Sequence, residues 1–314
     1  MAYNTDMASK IEKLLTEFLE HLEIEKGRSQ RTLRNYDFYL RRFFDWAKHP
    51  APGAITLDMV RKFRLWMNRN VKGRDGEAPK VTTQNYHLIA LRSFLKYLAK
   101  RDIKTLAPEK IELAKHPERQ VEFLEEEELL RLLDSPLKGG DNLVSLRDSA
   151  ILEMLFSTGL RVSELARLEI ESVNLDRDEF TVLGKGGKNR IVFVSERARD
   201  AVKKYLKKRQ DMSPHMFVSH DRAKGKRDDL NLTPRSIQRI VDKHTRKAGI
   251  TKKVSPHTMR HTFATDLLRG GADIRSVQAM LGHASITTTQ IYTHVTNKHL
   301  REIHKKHHDK KRKK

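Results

Sequence analysis

For its first hundred residues the chain repeats one pattern, and that pattern admits few folds. Apolar side chains recur three and four apart: Ile11, Leu14, Leu15, Phe18, Leu19 and Leu22, then Leu33, Tyr36, Tyr39, Leu40, Phe43 and Phe44. Such spacing gathers them on one face of an α-helix. Gly27 breaks the first helix and Ser29 is placed to cap the second. Pro50, Pro52 and Gly53 end that helix, and Thr56 caps a third with Met59, Val60, Phe63 and Trp66 on one face. A polar loop over 72–80 leads to a fourth, carrying Leu88, Leu91, Phe94, Leu95 and Leu98. No strand pattern interrupts the set, so a small four-helix bundle is expected.

The other faces of these helices are basic. Arg31, Arg34, Arg41 and Arg42 ride the second helix, and Thr83, Gln84, His87, Arg92 and Lys96 the fourth. Hydroxyls, an amide and cations interleaved in this way suit phosphate positioning with some base-edge contact. The whole chain agrees: 63 Lys and Arg against 41 Asp and Glu leave a formal charge of +22, which calls for an anionic partner, nucleic acid first. There is no cysteine, which removes disulfides, thiolate nucleophiles and sulfur-built metal sites. The longest apolar runs, such as 151–156, are too short to span a bilayer, and the first ten residues lack a signal-peptide pattern. A cytoplasmic protein without membrane contact is expected.

The length, 314 residues, suggests about two domains. Residues 102–120 hold Pro108 and Pro117 with mixed charge and weak periodicity, which reads as a linker. We therefore expect a helical DNA-binding domain over 8–105, a linker over 106–121, a second domain over 122–300 and a basic tail over 301–314. The second domain opens with an acidic cap at 125–128 and continues with helices near 146–157 and 162–168. Ile170, Val173, Phe180, Val182, Ile191, Phe193 and Val194 then favour strands, with Gly184, Gly186 and Gly187 marking a hairpin tip. Helices return over 196–208, 233–248, 256–269, 274–281 and 287–295. The expected class is mainly α with a small β-sheet.

Four features in this second half carry chemistry. Gly159 breaks one helix and leaves Arg161 at the entry of the next, an anion-friendly place, with Glu164 one turn on. As an isolated pair they are no more than a common surface ion pair. The stretch from Gly184 to Lys188 is not a nucleotide P-loop, since Val182 and Asn189 stand where glycine and Ser or Thr are required. It reads as a hairpin tip presenting Lys185. His257 and His261 have metal-ligand spacing, but Thr258 stands where a zinc protease needs glutamate and no third ligand is evident, so no metal is expected. His257 and Arg260 share a helix face that suits a phosphate. Gly282 ends a helix and presents His283, and Tyr292 lies on the next.

In this order and spacing the set resembles the tyrosine recombinase (phage integrase) family. The resemblance rests on Arg161 in TGLRVSEL, Lys185 in GKGGKNR, His257 and Arg260 in HTMRH, His283 in LGHAS and Tyr292 in IYTHV, and covers about 123–300. Both Lys185 and Lys188 flank the hairpin tip, and the family pattern favours Lys185. The first domain is similar to the family's SAM-like core-binding domain. Fewer than ten residues precede the first helix, so the chain is similar to two-domain Xer-type members.

The resemblance implies an α+β catalytic domain that cuts and rejoins DNA. Tyr292 would be the nucleophile, leaving a 3′-phosphotyrosyl link. Arg161 and Arg260 would clamp the phosphate, Lys185 would protonate the leaving oxygen, His257 would assist proton transfer, His283 would bond the phosphate and Glu164 would orient its cationic neighbours. No cofactor or metal is implied. The implied partners are double-stranded DNA with paired sites, a homotetramer or a heterotetramer with a related recombinase, and a DNA translocase as activator. Ile291, Val295, Leu300 and Ile303 would dock on a neighbouring subunit. The lysine-rich end would add nonspecific, salt-sensitive affinity for DNA. Dimer resolution, integration of a phage or mobile element, relaxation by a type IB topoisomerase, and a non-catalytic DNA-binding regulator are the competing readings.

Overall fold

The computed structural model describes residues 2–73, 76–115, 122–184, 187, 189–220, 230–282, 285 and 289, with side chains from residue 10 onward. The chain divides into two units, Met1–Glu118 and Arg119–Lys314.

The first unit holds α1 (Ala2–Ile24), α2 (Gln30–Trp46), α3 (Leu57–Asn70) and α4 (Val81–Ala99). Local chemistry sets their starts. The Ser29 hydroxyl accepts from the Thr32 N–H at 3.4 Å, and that of Thr56 from the Met59 N–H at 3.2 Å, each satisfying an otherwise unpaired helix donor. The apolar stripes meet in an aromatic core. Phe18 and Phe44 each meet Phe94 at a centroid distance of 5.4 Å, and Phe43 meets Phe63 at 5.1 Å, all edge to face. Burying one such ring contributes about 2–3 kcal/mol, and the edge-to-face geometry adds to it.

Residues 106–115 pack on this unit instead of running free. Ile111 is buried in its core. The Asn85 amide makes two bonds to Ala114, Nδ2 to the carbonyl at 2.9 Å and Oδ1 from the N–H at 3.1 Å. Arg64 donates to the Glu112 carbonyl at 3.2 Å. Weak periodicity reflects irregular backbone here, tied down by side chains; residues 116–121 lie outside the described part.

The second unit holds α5 (Glu126–Asp134), α6 (Leu143–Thr158), α7 (Val162–Ala166), β1 (Glu179–Leu183), β2 (Asn189–Phe193), α8 (Glu196–Lys208), α9 (Pro234–Lys247), α10 (Pro256–Arg269) and α11 (Ile274–Leu281). Helix α6 is buried along nearly its whole length, between α5, α8, α9 and α10, and so shows no polar face. Its buried charges are paired. Asp148 takes bonds from Arg147 at 2.6 Å and from the His244 Nε2 at 2.9 Å, while Ser135 Oγ lies 3.1 Å from the His244 Nδ1. Glu153 takes one from Arg197 at 2.6 Å.

β1 and β2 form an antiparallel hairpin in which Val182 faces Arg190 and Leu183 faces Asn189. Alternation puts Phe180, Val182 and Val192 inward and Leu183, Ile191 and Phe193 outward. Ile170 and Val173 do not join a strand. They follow a single bridge, Glu169 to His215, and turn inward, with the Ile170 N–H bonded to the Pro214 carbonyl at 2.9 Å. Their β-branched character serves packing against the core rather than a ladder. No described helix is long and apolar enough to cross a membrane.

Candidate active site

Five chain segments converge in the second unit. α6 ends at Gly159, which takes the left-handed conformation with φ +58°. A Cβ at that position would stand 2.5 Å from the Phe263 ring, so both the backbone and the packing demand glycine. The turn delivers Arg161 to the N-cap of α7, where the Glu164 carboxylate accepts the Arg161 N–H at 2.8 Å. α11 ends at Gly282, again left-handed, with φ +62°.

The guanidiniums settle on the carbonyls that these helix ends expose. Arg260, buried on α10, donates to the carbonyls of Gly159 and Leu281. Arg161 donates to the next carbonyl, Gly282, at 3.2 Å. Cations belong at helix C-termini, where unpaired carbonyls and the helix dipole are negative. Arg161 remains 30% exposed at the side chain, whereas Arg260 is 3% exposed.

A carboxylate ties the cluster. Glu164 accepts from Arg161 Nη1 at 2.9 Å, and from Arg190 Nη1 and Nη2 at 2.9 and 2.7 Å. Burial alone would raise its pKa; the bonds from Arg190 and Arg161 outweigh that and hold the carboxyl at about 2. Two guanidiniums on one carboxylate, with a third, Arg260, on the neighbouring Leu281 carbonyl, leave positive charge in surplus, which suits a phosphodiester.

His257 lies exposed on the first turn of α10, one turn before Arg260, with its ring 4.2 Å from that of His261. Among the described residues no group of three or more His, Asp or Glu is placed to hold a metal.

In the first unit Arg31, Arg34, Arg41, Thr83 and Lys96 are exposed, and Arg42, Gln84 and Arg92 half-buried. Arg41 pairs with Asp37 at 2.7 Å, and Arg42 lies over the Phe38 ring at 4.5 Å. Gln84 is occupied by Asn68 and by the Pro79 carbonyl. His87 is corrected: it does not stand on the basic face. It is 2% exposed, packed against Tyr39 at 4.5 Å, with Nδ1 2.9 Å from the Thr83 carbonyl. Burial, with Arg42 beside it, lowers its pKa against the pull of that bond. His87 lies with Leu88 and Leu91 on the buried side of α4, whereas Thr83 and Lys96 face outward.

Against this geometry, two family models match the chain: the phage integrase family over residues 122–299, and the phage integrase N-terminal SAM-like domain over 15–102. The chain belongs to the phage integrase family. It is 38% identical over 301 residues to the tyrosine recombinase XerC of Thermodesulfovibrio yellowstonii, covering 94% of this chain and 95% of that protein. It is equally 38% identical over 291 residues to the tyrosine recombinase XerA of Pyrococcus furiosus, covering 92% of each. A crystal structure of a XerA recombinase matches at 31% identity with TM-score 0.52, over 95% of this chain and 98% of that one. The fold is shared with a XerH recombinase bound to palindromic difH substrate, TM-score 0.70 at 22% identity, over 95% of this chain and 84% of that one.

Of the catalytic set expected for this integrase-family chain, the structure brings together Arg161, Glu164 and Arg260, and keeps His257 on the Arg260 helix. Lys185, His283 and Tyr292 lie outside the described residues, as do the helix expected over 287–295 and the tail over 301–314. Sequence reasoning passed over Arg190. Its signal was present: Arg190, Val192 and Val194 alternate, so the arginine occupies an inward strand position.

Proposed function

We propose that this chain is a site-specific DNA recombinase of Xer type, which cuts and rejoins DNA through a 3′-phosphotyrosyl intermediate. The observation that carries the reading is the anchoring of Arg260 and Arg161 on the consecutive carbonyls of Leu281 and Gly282, immediately before His283 in the chain. Two fixed guanidiniums there would hold the non-bridging oxygens of a scissile phosphate and stabilise the pentavalent transition state. Tyr292 would attack phosphorus as its proton passes to His257. Lys185 would give a proton to the departing 5′-oxygen, and His283 would bond the phosphate. One ester replaces another, so the bond energy is retained for rejoining, without ATP.

Similarity to XerC and XerA proteins over most of the chain favours dimer resolution over integration of a mobile element. Strand exchange between paired sites on double-stranded DNA calls for four active sites, hence a homotetramer or a heterotetramer with a related recombinase; a DNA translocase would be its activator. A chain ended after Thr296 should still bind one site but form no four-subunit complex, read by sedimentation; a tetramer from that chain refutes docking through the C-terminal segment.

The decisive experiment uses a nicked suicide substrate, on which cleavage traps the covalent adduct. The parent chain should give a protease-sensitive protein–DNA band, and Tyr292→Phe should bind DNA yet give none. A band from Tyr292→Phe assigns another nucleophile. DNA binding without any band from the parent makes the chain a regulator, and relaxation of supercoils without paired sites makes it a topoisomerase.

A further inference from the structure

Glu164 serves two arginines, and the two are not alike. Its side chain is 4% exposed, that of Arg190 is 7% exposed, and that of Arg161 is 30% exposed. Arg190 meets both carboxylate oxygens in a two-point pair and donates from Nε to the Met280 carbonyl at 3.2 Å. It is enclosed: a Cβ at Gly282 would stand 2.9 Å from the Arg190 Cδ. Arg161 meets the carboxylate with one terminal nitrogen and turns the other toward Gly282.

The charges decide what this does. A buried carboxylate facing Arg161 alone would cancel the charge of the very group meant for the phosphate. A carboxylate already matched by a buried, forked guanidinium orients Arg161 and leaves its charge available.

We propose that Arg190 is a positioning residue: it neutralises Glu164, so that the carboxylate can fix Arg161 while Arg161 keeps a net positive charge for the phosphate. Through β2 the same residue ties the hairpin that bears Lys185 to α7 and to the end of α11. The proposal rests on the recombinase reading above.

The test measures single-turnover adduct formation on the suicide substrate, with excess full-length protein. Arg190→Gln should slow the step about a hundredfold while duplex affinity stays within about threefold. Adding Glu164→Gln to Arg190→Gln removes the unmatched carboxylate and should regain about tenfold. A merely structural role gives the opposite result, since the double variant has lost still more bonds. Arg190→Lys keeps the charge but loses the fork, so it should cleave more slowly than the parent and faster than Arg190→Gln; a folded Lys variant no faster than Arg190→Gln overturns the proposal. So does an Arg190→Gln rate equal to the parent's, or a double variant no faster than the single. A parent chain that forms no adduct overturns the recombinase reading and this proposal together, whereas a cleaving parent matched by Arg190→Gln overturns only the proposal.

Discussion

Arg260 on α10 donates to the carbonyl of Gly159, 101 residues earlier, where α6 ends. The bond makes the turn before Arg161 part of the wall of the proposed phosphate site. Stability and chemistry therefore meet at one glycine.

Gly159→Ala should show both effects. The new Cβ would sit in a left-handed conformation, 2.5 Å from the Phe263 ring. A cost of about 2 kcal/mol or more is expected, read by denaturant unfolding, together with slower adduct formation. Gly139→Ala, with nothing within 4 Å of the added Cβ, is the control and should unfold close to the parent. Equal stability of the two variants would mean that the Gly159 turn relaxes freely.

Asp148 governs an acid limb of stability. Burial pushes its carboxyl up, but His244, Arg147 and Lys243 hold it at about 2, against 3.8 for the ordinary group. The folded value is depressed, so the contribution is complete above about pH 4 and is lost as pH falls toward 2. Asp148→Asn should cost about 3–5 kcal/mol at pH 7, because the buried Arg147 guanidinium loses its counter-charge. The gap between variant and parent should narrow below pH 4 in urea titrations. A gap that stays constant from pH 7 to pH 2.5 would show that the carboxylate charge is not the source. Glu164, held at about 2 by Arg190 and Arg161, should add to the same limb.

The basic face of the first unit is testable through salt. Arg31 and Arg34 are exposed. If they meet phosphates, replacing both by Ala should weaken duplex binding for any sequence and reduce the slope of log K against log salt by about 2. An unchanged slope removes them from the interface. His87→Phe should instead leave that slope as it is, since the buried ring packs on Tyr39 and does not reach solvent.

Much of this was legible without coordinates because the signals are local. Ser29, Thr56 and the acidic run at 125–128 announce helix starts within a single turn, and α8, α10 and α11 begin and end where the 3.6-residue repeat does. Glu164 follows Arg161 at the spacing of one turn, so their bond is implied by the helix itself. Strand preference in Ile170 and Val173 misled, because β-branched residues pack equally well beside an isolated bridge.

The amino-acid sequence by itself determined the described helices, the hairpin, the basic character and the ordered set of residues, from Arg161 to Tyr292, proposed to handle the phosphate, since each depends on a repeat, a cap or a residue type. Only the tertiary structure decided which partners those residues take. Arg190 reaches Glu164 across 26 residues, Arg161 reaches Gly282 across 121, and His87 turns inward beneath Tyr39. Such pairings follow from how α6, α10, α11 and β2 pack. A buried charge accepts whatever counter-charge or helix-end carbonyl the packing brings within reach, and no local window of sequence contains that choice.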